Sequence, residues 1–403
     1  MCRKTVALYE KLVAEKEAKR THRSLTVVQM LPDLEGGGVE RGTLELGKYL
    51  AANGHRSLVI SAGGRLVGQL MREGSRHVPW NVGSKSPVCL SYILPLRRLL
   101  QKEEVDVLHL RSRMPAWVGY LAWISLPKGK RPLLVTTFHG FYSVNYYSAI
   151  MTKGDGIIAV SQSIKKHIQD VYKKHDEITL IFRGVDIDLF SPENVPAARV
   201  EKLRRQWQVN DKTPLLMLPG RITRLKGQDV FLKSLSLLKN SAFQAVLVGD
   251  TGENPGFVSE LRRMIDQYDL AGRVKMVGHC ADMPAAYLLA DIVLSASSSE
   301  PEAFGRTTAE AMAMGKPVIA TAHGGSLETV LEGQTGWLVR PSDPEDMAKA
   351  IDQALFGGSV QLAAYGKAGQ ARVRECFTTK AMCEQTESLY RKLMGDAKNL
   401  VRA

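Results

Sequence analysis

Short apolar runs rich in Val, Ile and Leu alternate with amphipathic stretches along most of the chain. Runs of this length, joined by helical segments, predict parallel strands with crossover helices. Few runs alternate apolar with polar residues, as expected of strands that are buried on both faces. The expected strands are LTVVQML, SLVIS, DVLHL, LLVTTFH, GIIAVS and ITLIF in the first half, then LLMLPG, QAVLVGD, RVKMVGH, DIVLSAS, PVIATA and GWLV. The pattern therefore predicts an α/β fold with two doubly wound, Rossmann-like parts.

The length of the chain indicates two domains. Its 403 residues exceed the ~250 to 300 residues at which a single core stops growing. Residues 191–200, SPENVPAARV, combine prolines with polar residues and are the expected linker. We expect a first domain over residues 1–190, a second over 201–380, and a last helix over 381–403 that could pack back on the first domain. Residues 1–24 are charged throughout and predict a helical or flexible arm.

The composition is that of a folded soluble protein. Hydrophobic residues make up 44% and charged residues 24%, which excludes disordered, collagen-like and disulfide-scaffold classes. No window reaches the ~18 apolar residues that a membrane-spanning helix needs, and residues 1–24 lack the apolar segment of a secretory signal. The five cysteines form no CxxC pair, which favours free thiols in a reducing cytoplasm over disulfides or a zinc site. We therefore expect a cytoplasmic location.

Positive charge is concentrated in the first half of the chain. Residues 1–190 hold 28 basic and 17 acidic side chains (+11), whereas residues 191–403 hold 26 and 24 (+2). Residues 51–131 alone have 13 basic and four acidic side chains. Three tryptophans lie in that stretch: Trp80, Trp117 and Trp123. A basic surface with aromatic residues suggests an anionic partner, and nucleic acid, anionic lipid headgroups, a phosphorylated acceptor and plain solvation all fit this composition.

The segment SQSIKKHIQDVYKKH predicts an amphipathic helix. It places four lysines near Ile164, Ile168 and Val171. This pattern fits a helix that rests on a membrane surface and an ordinary exposed helix equally well.

Residues 300–321, EPEAFGRTTAEAMAMGKPVIAT, predict a helix followed by a strand. Residues 307–314 are mostly good helix formers, Gly315 suits the position just past a helix end, and Pro317 prevents continuation. The helix begins near Gly305, which lets a phosphate approach the free backbone amides of the first turn.

Two carboxylates accompany this helix. Glu302 precedes the helix on a loop, and Glu310 lies in its second turn. A carboxylate accepts two hydroxyl hydrogen bonds in fixed geometry, which suits the vicinal diols of a ribose or a hexose. A sugar nucleotide would satisfy both the carboxylates and the helix amino terminus. Read alone, Glu300, Glu302 and Glu310 fit equally well as acids that complement the helix dipole.

A basic loop follows a buried strand in residues 215–235, LLMLPGRITRLKGQDVFLKSL. The loop carries Arg221, Arg224 and Lys226. Arg221 and Lys226 could neutralise the negative charge that grows on a leaving diphosphate. Solvated loop cations explain the segment equally well when it is read alone.

A glycine loop, Gly36 to Gly38, lies between the first expected strand and a helix, so backbone can approach a ligand there. The third glycine of a dinucleotide fingerprint would fall at Arg41, and the next strand ends without the acid that holds a ribose. These departures disfavour a nicotinamide enzyme, and the absence of GxxxxGK[ST] removes ordinary P-loop ATPases. His109 and His139 both lie at the carboxyl ends of expected strands, a position that is more often structural than catalytic.

Together, the Glu302 to Glu310 element with AMAMGKPVIAT after it, the basic loop, the glycine loop and RGVDIDLF resemble the retaining glycosyltransferases of family 4. The resemblance covers nearly the whole chain. It implies the GT-B architecture, in which two Rossmann-like domains face an interdomain cleft. Two features depart from the family pattern: Arg183 stands where asparagine is usual, and SASSSEPE replaces the commoner proline-serine before Glu302.

The resemblance also implies roles for individual residues. Arg221 and Lys226 would bind the donor diphosphate, Glu310 the ribose hydroxyls and Glu302 the hydroxyls of the transferred sugar, with His139 beside that sugar. The catalytic candidates are His139, Arg221, Lys226 and Glu302. The donor-binding candidates are Gly37, Gly38, Arg221, Lys226, Glu302, Phe304, Gly305, Arg306, Thr307 and Glu310.

The expected reaction is transfer of a hexose-type sugar, with retention of configuration, from a UDP-sugar; GDP and ADP stay open alternatives. No metal or other cofactor is expected, because Arg221 and Lys226 can stand in for one. The expected acceptor is an anionic or lipid-linked glycan of lipopolysaccharide or polysaccharide biosynthesis, reached by peripheral contact with the cytoplasmic face of the inner membrane. The alternatives are a sugar-nucleotide epimerase on the same fold and a basic nucleic-acid-binding protein. The sequence offers no recognition-helix or aromatic RNA motif, so we expect no nucleic-acid partner.

Overall fold

The computed structural model describes residues 23–176, 178–238 and 241–400. The arm expected over residues 1–24 therefore lies, except for its last two residues, outside the described residues. The described chain forms two compact units. Unit 1 comprises the described residues of 23–160, 165–181 and 383–400, and unit 2 those of 161–164 and 182–382. The division falls between Ile181 and Phe182, so residues 191–200, the expected linker, lie inside unit 2.

Unit 1 is built around a parallel sheet with the strand order β3-β2-β1-β4-β5-β6-β7. Its strands are β1 Thr26–Met30, β2 Arg56–Ser61, β3 Arg76–Pro79, β4 Val107–Leu110, β5 Leu133–Phe138, β6 Gly156–Ala159 and β7 Ile178–Leu180. The apolar runs predict all of these except β3. That strand pairs with β2 at the edge of the sheet, and only Val78 of its four residues is buried. A half-exposed edge strand has no continuous apolar run for sequence reasoning to find.

The helices of the first part are α1 Gly38–Ala52, α2 Val67–Arg72, α3 Ile93–Lys102, α4 Arg113–Ile124, α5 Tyr146–Ala149 and α6 Gln162–Tyr172. Helix α6 is the amphipathic segment of the sequence analysis. Its Ile164 and Ile168 are fully buried, so the protein itself covers the apolar face. The structure therefore favours an ordinary surface helix over one that rests on a membrane.

Unit 2 contains a second parallel sheet with the order β10-β9-β8-β11-β12-β13. Its strands are β8 Leu215–Pro219, β9 Gln244–Val248, β10 Val274–Gly278, β11 Ile292–Ser295, β12 Val318–Thr321 and β13 Gly336–Val339. Its helices are α7 Ala197–Trp207, α8 Gln228–Ser236, α9 Pro255–Gln267, α10 Met283–Leu289, α11 Arg306–Ala313, α12 Ser326–Thr329, α13 Pro344–Phe356 and α14 Gly358–Cys376. Apolar clusters cover both faces of this sheet, which explains why its strands are almost uniformly apolar.

The strand order reverses once in each sheet, between β1 and β4 in unit 1 and between β8 and β11 in unit 2. In open parallel sheets, ligands bind in the crevice at the carboxyl ends of the two strands that flank such a reversal. The glycine loop follows β1 and the basic loop follows β8, while Glu302 lies in the loop after β11. Topology thus places motifs from the sequence at both of these crevices.

The last helix, α15 Thr379–Leu400, belongs to unit 1 from Cys383 onward. Tyr390 is fully buried there, and its hydroxyl lies 2.6 Å from Nδ1 of His109 on β4. Glu387 accepts a 2.8 Å hydrogen bond from the Tyr49 hydroxyl. Polar contacts therefore join this helix to β4 and to α1.

In the described part of the chain, every helix is too short or too polar to cross a lipid bilayer. The described cysteines are free thiols: Cys89, Cys280, Cys376 and Cys383. Cys2 lies outside the described residues.

Candidate functional site

An ion pair joins the two loops at the β8/β11 crevice of unit 2. The Nζ of Lys226, at the end of a 3-10 turn, donates a hydrogen bond to Oε1 of Glu302. The same oxygen accepts a 2.6 Å hydrogen bond from the hydroxyl of Ser297. The Glu302 carboxylate is thus held by a cation and a hydroxyl, while its Oε2 makes neither of these bonds.

Close backbone packing brings Lys226 to this position. Gly227 has φ +65°, and a Cβ at this residue would lie 1.8 Å from the carbonyl oxygen of Ala296. Only glycine allows the loop after β8 to approach the loop after β11 so closely. The LKG sequence therefore fixes the basic loop against the next strand, and Lys226 reaches Glu302 as a result.

The backbone of Glu302 is fixed as well. Its carbonyl oxygen accepts a 2.7 Å hydrogen bond from the Gly325 amide, and it forms a parallel bridge with Gly324. Burial alone would raise the pKa of the Glu302 carboxyl, but the Lys226 ammonium, the Ser297 hydroxyl and the nearby charge of Arg221 together hold the pKa below its usual value. Glu302 is therefore an ionised carboxylate at neutral pH.

The three cations of the basic loop differ in their partners. Lys226 pairs with Glu302, whereas both terminal nitrogens of the Arg224 guanidinium donate to Glu260 on α9. The Cζ of Arg224 also lies 4.9 Å from the ring centre of Phe257. Arg221 is exposed, and its charge acts on Glu302. Arg224 is therefore a structural cation, and Arg221 and Lys226 are the pair available at the crevice.

Helix α11 begins beside these side chains. Gly305 is its N-cap with φ +85°, and no side chain caps the helix amino terminus. A Cβ at Gly305 would lie 3.6 to 3.8 Å from the hydroxyls of Thr308, Ser326 and Thr329. The hydroxyls of Thr308 and Ser326 are buried and have no hydrogen-bond partner among the described residues. Free amides and unused hydroxyls together make this end of α11 suitable for an anionic group.

Glu310 is buried in the second turn of α11 and has a partner on each oxygen. Its Oε1 accepts a 2.9 Å hydrogen bond from Nε of Arg306, and its Oε2 accepts a 3.1 Å bond from the hydroxyl of Tyr287. Only 6% of the residue is exposed. The carboxylate is therefore oriented before any ligand arrives.

The side chain of Phe304 does not line this crevice. It is buried and packs against Phe377, with ring centres 5.4 Å apart, and against Phe182. Phe304 can therefore serve a ligand only through its backbone. Thr307 and Arg306 are both half-buried in the first turn of α11.

The candidates of unit 1 follow β1 and β5. Gly37 is the N-cap of α1 with extended backbone, no side chain caps this helix amino terminus, and Gly38 is the first helical residue. His139 directly follows β5 and is half-buried. His109 differs, because burial holds the pKa of its imidazole well below the usual value and its ring nitrogens contact Tyr390 and Thr137. His109 is therefore a structural residue.

The architecture and these motifs match known proteins. Residues 199–371 match the family described as Glycosyl transferases group 1, and residues 36–189 match Glycosyltransferase Family 4. A crystal structure of a glycosyltransferase from Rickettsia africae ESF-5 has 36% sequence identity and a TM-score of 0.85, and covers 92% of this chain and 99% of that one. The chain belongs to the family 4 glycosyltransferases.

Two further similarities place this glycosyltransferase among its relatives. The N-acetyl-alpha-D-glucosaminyl L-malate synthase of Bacillus anthracis is 25% identical over 384 residues, which is 91% of this chain and 97% of that protein. The crystal structure of Anabaena Alr3699/HepE in complex with UDP-glucose is 24% identical with a TM-score of 0.80, and covers 91% of this chain and 99% of that one. The latter likeness concerns the fold. The expected GT-B fold and the expected enzyme class are confirmed.

Within unit 2, the structure of the glycosyltransferase brings Lys226 to Glu302 and Arg306 to Glu310. Sequence reasoning missed Ser297 and Tyr287, which hold the two glutamates. Ser297 lies in the SASSSEPE stretch, which departs from the family pattern just before Glu302, and this departure could have pointed to a serine that contacts Glu302. Tyr287 lies on α10 and carried no comparable signal.

Proposed function

We propose that this glycosyltransferase moves a hexose from a UDP-sugar, with retention of anomeric configuration, to an anionic or lipid-linked glycan. The observation that carries the proposal is the hydrogen bond from Lys226 to the Glu302 carboxylate at the strand reversal of unit 2. The helix that follows Glu302, α11, has an uncapped amino terminus and carries a second oriented carboxylate, Glu310.

The donor is proposed to bind at this crevice of unit 2. The diphosphate would interact with Arg221, with the remaining N–H groups of Lys226 and with the backbone amides of residues 304–307. Glu310 would accept hydrogen bonds from the ribose hydroxyls, and Glu302 from those of the hexose. The choice of UDP is supported by the UDP-glucose complex of the HepE protein, which shares this fold.

Bond cleavage would need charge stabilisation on the leaving diphosphate. Arg221 and Lys226 could supply it without a metal ion, since fixed cations at the site of developing charge lower the barrier most effectively. Because Oε1 of Glu302 is already held by Lys226 and Ser297, we propose that Glu302 orients the sugar rather than attacking it. The leaving phosphate would then help to deprotonate the incoming hydroxyl on the same face of an oxocarbenium-like sugar.

For unit 1 we propose that Gly37, Gly38 and His139 contact the substrates. The acceptor is proposed to be a glycan of lipopolysaccharide or polysaccharide biosynthesis, because the first 190 residues carry a net charge of +11. The cytoplasmic face of the inner membrane is the proposed location, because the described cysteines are free thiols, which suits a reducing compartment.

A specific surface supports peripheral contact with an anionic membrane. Val88, Leu90 and Leu94, on the 3-10 turn before α3 and on α3 itself, are 68%, 46% and 60% exposed. Exposed basic residues accompany them in the chain: Lys85, Arg98 and Lys102. Apolar side chains flanked by cations are the combination that binds anionic bilayers peripherally.

Changing Leu90 and Leu94 to Ser should weaken cosedimentation with phosphatidylglycerol vesicles severalfold, and Val360→Ser, an exposed change in unit 2, should not. Equal sedimentation of both variants would remove this surface from the proposal.

The donor proposal is tested by thermal unfolding with a panel of UDP-, GDP- and ADP-sugars. A bound donor at 100 times its Kd stabilises the fold by about 2.7 kcal/mol, which is a readily measured shift in Tm. We expect a UDP-sugar to stabilise most, and the anomeric signals of the product in NMR spectra to show retention. Conversion of the donor without any acceptor would point to an epimerase instead. No shift with any nucleotide sugar would refute the proposed function.

A further inference from the structure

An exposed aromatic surface lies on the loop that begins at His139 in unit 1. The segment HGFYSVNYY, residues 139–147, runs from the end of β5 into the first turn of α5. Tyr146 is 83% exposed and Tyr147 is 36% exposed. Tyr146 packs against Trp117 of α4, with ring centres 5.4 Å apart and planes inclined by 37°. We call Trp117, Tyr146 and Tyr147 the aromatic platform.

The platform is held in place from α4. Nε1 of Trp117 donates a 3.0 Å hydrogen bond to the carbonyl of Tyr147. The guanidinium carbon of Arg113 lies 5.4 Å from the ring centre of Tyr147 and 4.8 Å from that of Tyr142. A cation over two rings and a hydrogen bond to the backbone together fix the orientation of the exposed rings.

The base of the loop is anchored to α6. The Tyr172 hydroxyl donates to the carbonyls of Tyr142 and Ser143, at 3.3 and 3.0 Å, and Nε2 of His167 lies 3.0 Å from the Tyr142 carbonyl. The Asn145 side chain accepts the Ser148 amide at 2.8 Å and so caps α5. The exposed Tyr146 and Tyr147 therefore start a helix whose preceding loop is fixed by polar contacts, and the half-buried Trp117 packs against Tyr146 from α4.

Rigid, exposed tyrosine and tryptophan rings bind a partner at low entropic cost, because little side-chain freedom is left to lose. The ring faces are apolar and their hydroxyl edges are polar. A pyranose ring has the matching character, since its axial C–H groups form an apolar face and its hydroxyls point outward. Peripheral binding to an anionic bilayer needs several exposed aliphatic side chains with exposed cations beside them, as Val88, Leu90 and Leu94 have. Beside the platform, Val144 is an exposed aliphatic side chain, and Arg113, the cation at the rings, is half-buried against Tyr142 and Tyr147.

We propose that the aromatic platform is a saccharide-binding subsite that stacks against a pyranose ring of the acceptor glycan. The inference rests on the glycosyl transfer proposed above. It makes the acceptor an oligosaccharide that extends beyond the sugar that reacts, and it assigns Tyr146 and Trp117 to acceptor selection. Binding energy gained away from the reacting hydroxyl would serve to position that hydroxyl.

Saturation-transfer NMR with wild-type protein and the delipidated core oligosaccharide of lipopolysaccharide tests the platform directly. We expect saturation to pass from aromatic protons to sugar ring protons, and binding to weaken about tenfold in Tyr146→Ala, the size expected for one lost stacking contact. Tyr146→Phe keeps the ring and should stay within about twofold of wild type. Phe356→Ala, which removes an aromatic ring of unit 2 that is 76% exposed, is the matched control and should leave binding unchanged.

In turnover assays, Tyr146→Ala should raise the KM for the oligosaccharide and leave the KM for the nucleotide sugar unchanged. Absence of saturation transfer in the wild type, or equal oligosaccharide binding by wild type and Tyr146→Ala, would overturn the inference. The inference would also be overturned if Tyr146→Ala lost binding to phosphatidylglycerol vesicles and kept its binding to the oligosaccharide, because the rings would then contact lipid. Failure of the glycosyl transfer itself is a separate result, seen as the lack of any thermal stabilisation by nucleotide sugars.

Discussion

Lys226 and Glu302 are 76 residues apart in the chain, yet the lysine ammonium donates a hydrogen bond to the glutamate Oε1. The pair links the loop after β8 to the loop after β11, the two strands at which the sheet order reverses. Glu302 is mostly buried, with 15% of its side chain exposed, so its ionised state depends on this cation.

Lys226→Ala should lower kcat by roughly 10² or more, because it removes a fixed charge from the position where the leaving diphosphate develops negative charge. The variant should also lose some stability, since it leaves a largely buried carboxylate without its cation. Steady-state kinetics with a UDP-sugar and denaturant unfolding measure the two effects.

The same loop offers a matched control. Arg224→Ala removes a cation two residues away that is exposed and pairs with Glu260 on α9. Because Arg224 pairs with Glu260 and not with Glu302, this variant should keep kcat within about twofold of wild type. Loss of this exposed ion pair should cost only about 0 to 1 kcal/mol of stability. Comparable losses in both variants would indicate that the loop acts only through its overall charge.

The ionisation of Glu302 should set the acid limit of donor binding. Its pKa is held below the ordinary value of about 4.3, so donor affinity should be flat from neutral pH to about pH 5 and fall only below that ordinary value. Lys226→Met removes the main cation that favours the ionised carboxylate, while burial still opposes ionisation, so the pKa of Glu302 should rise. Donor affinity should then begin to fall at a higher pH than in the wild type. Calorimetric titration with the donor across this range tests the shift. An unchanged acid limit in the variant would show that Lys226 does not control Glu302.

The motif from Glu302 to Thr321 could be predicted in detail because each boundary has a local cause. Gly305 starts the helix, and Gly315 with Pro317 ends it before the strand. The two parallel sheets could be predicted for a similar reason, since buried strands need continuous apolar runs.

Partner choice could not be predicted in the same way. Nothing in RITRLKG distinguishes Arg224 from Lys226, because the distinction depends on Glu260 and Glu302, which are distant in sequence. Tyr287 on α10 reaches Glu310 only because α10 and α11 pack into the same cluster. The amphipathic pattern of α6 fits a helix on a membrane surface and an ordinary surface helix equally well. Only the structure, in which Ile168 is buried by the protein, favours the second.

Tyr287→Phe should weaken donor binding about threefold to tenfold with little change in kcat, because it frees Oε2 of Glu310 from the hydrogen bond that orients it. Glu310→Ala should weaken binding further, by tenfold or more, since it removes the carboxylate that is proposed to accept hydrogen bonds from the ribose hydroxyls of the donor. Isothermal titration with the donor gives both values. Glu300→Ala, which removes an exposed acid from the loop before α11, serves as the control and should bind like the wild type. If Tyr287→Phe bound the donor as tightly as wild type, the orientation of Glu310 would be set by Arg306 alone.

Helix α15 packs on unit 1 through Glu387. Glu387 of α15 accepts hydrogen bonds from Tyr49 at 2.8 Å and from Nε of Arg391 at 2.7 Å, and it lies 3.2 Å from Nε2 of His55. Burial opposes ionisation, but the Tyr49 hydroxyl and the Arg391 guanidinium outweigh it and lower the pKa of Glu387. A lowered pKa adds stability that is complete above the unfolded value of about 4.3 and is lost as the pH falls through the folded value.

Glu387→Gln should therefore cost about 2 kcal/mol of unfolding free energy at pH 7, the size of a lost hydrogen bond to a charged group, and the difference from wild type should shrink towards about pH 3. Gln385→Ala changes an exposed neighbour on the same helix and should stay within about 0.5 kcal/mol of wild type. Urea unfolding of the full chain at the two pH values measures all three proteins. A pH-independent difference between wild type and Glu387→Gln would mean that Glu387 contributes through packing and not through its charge.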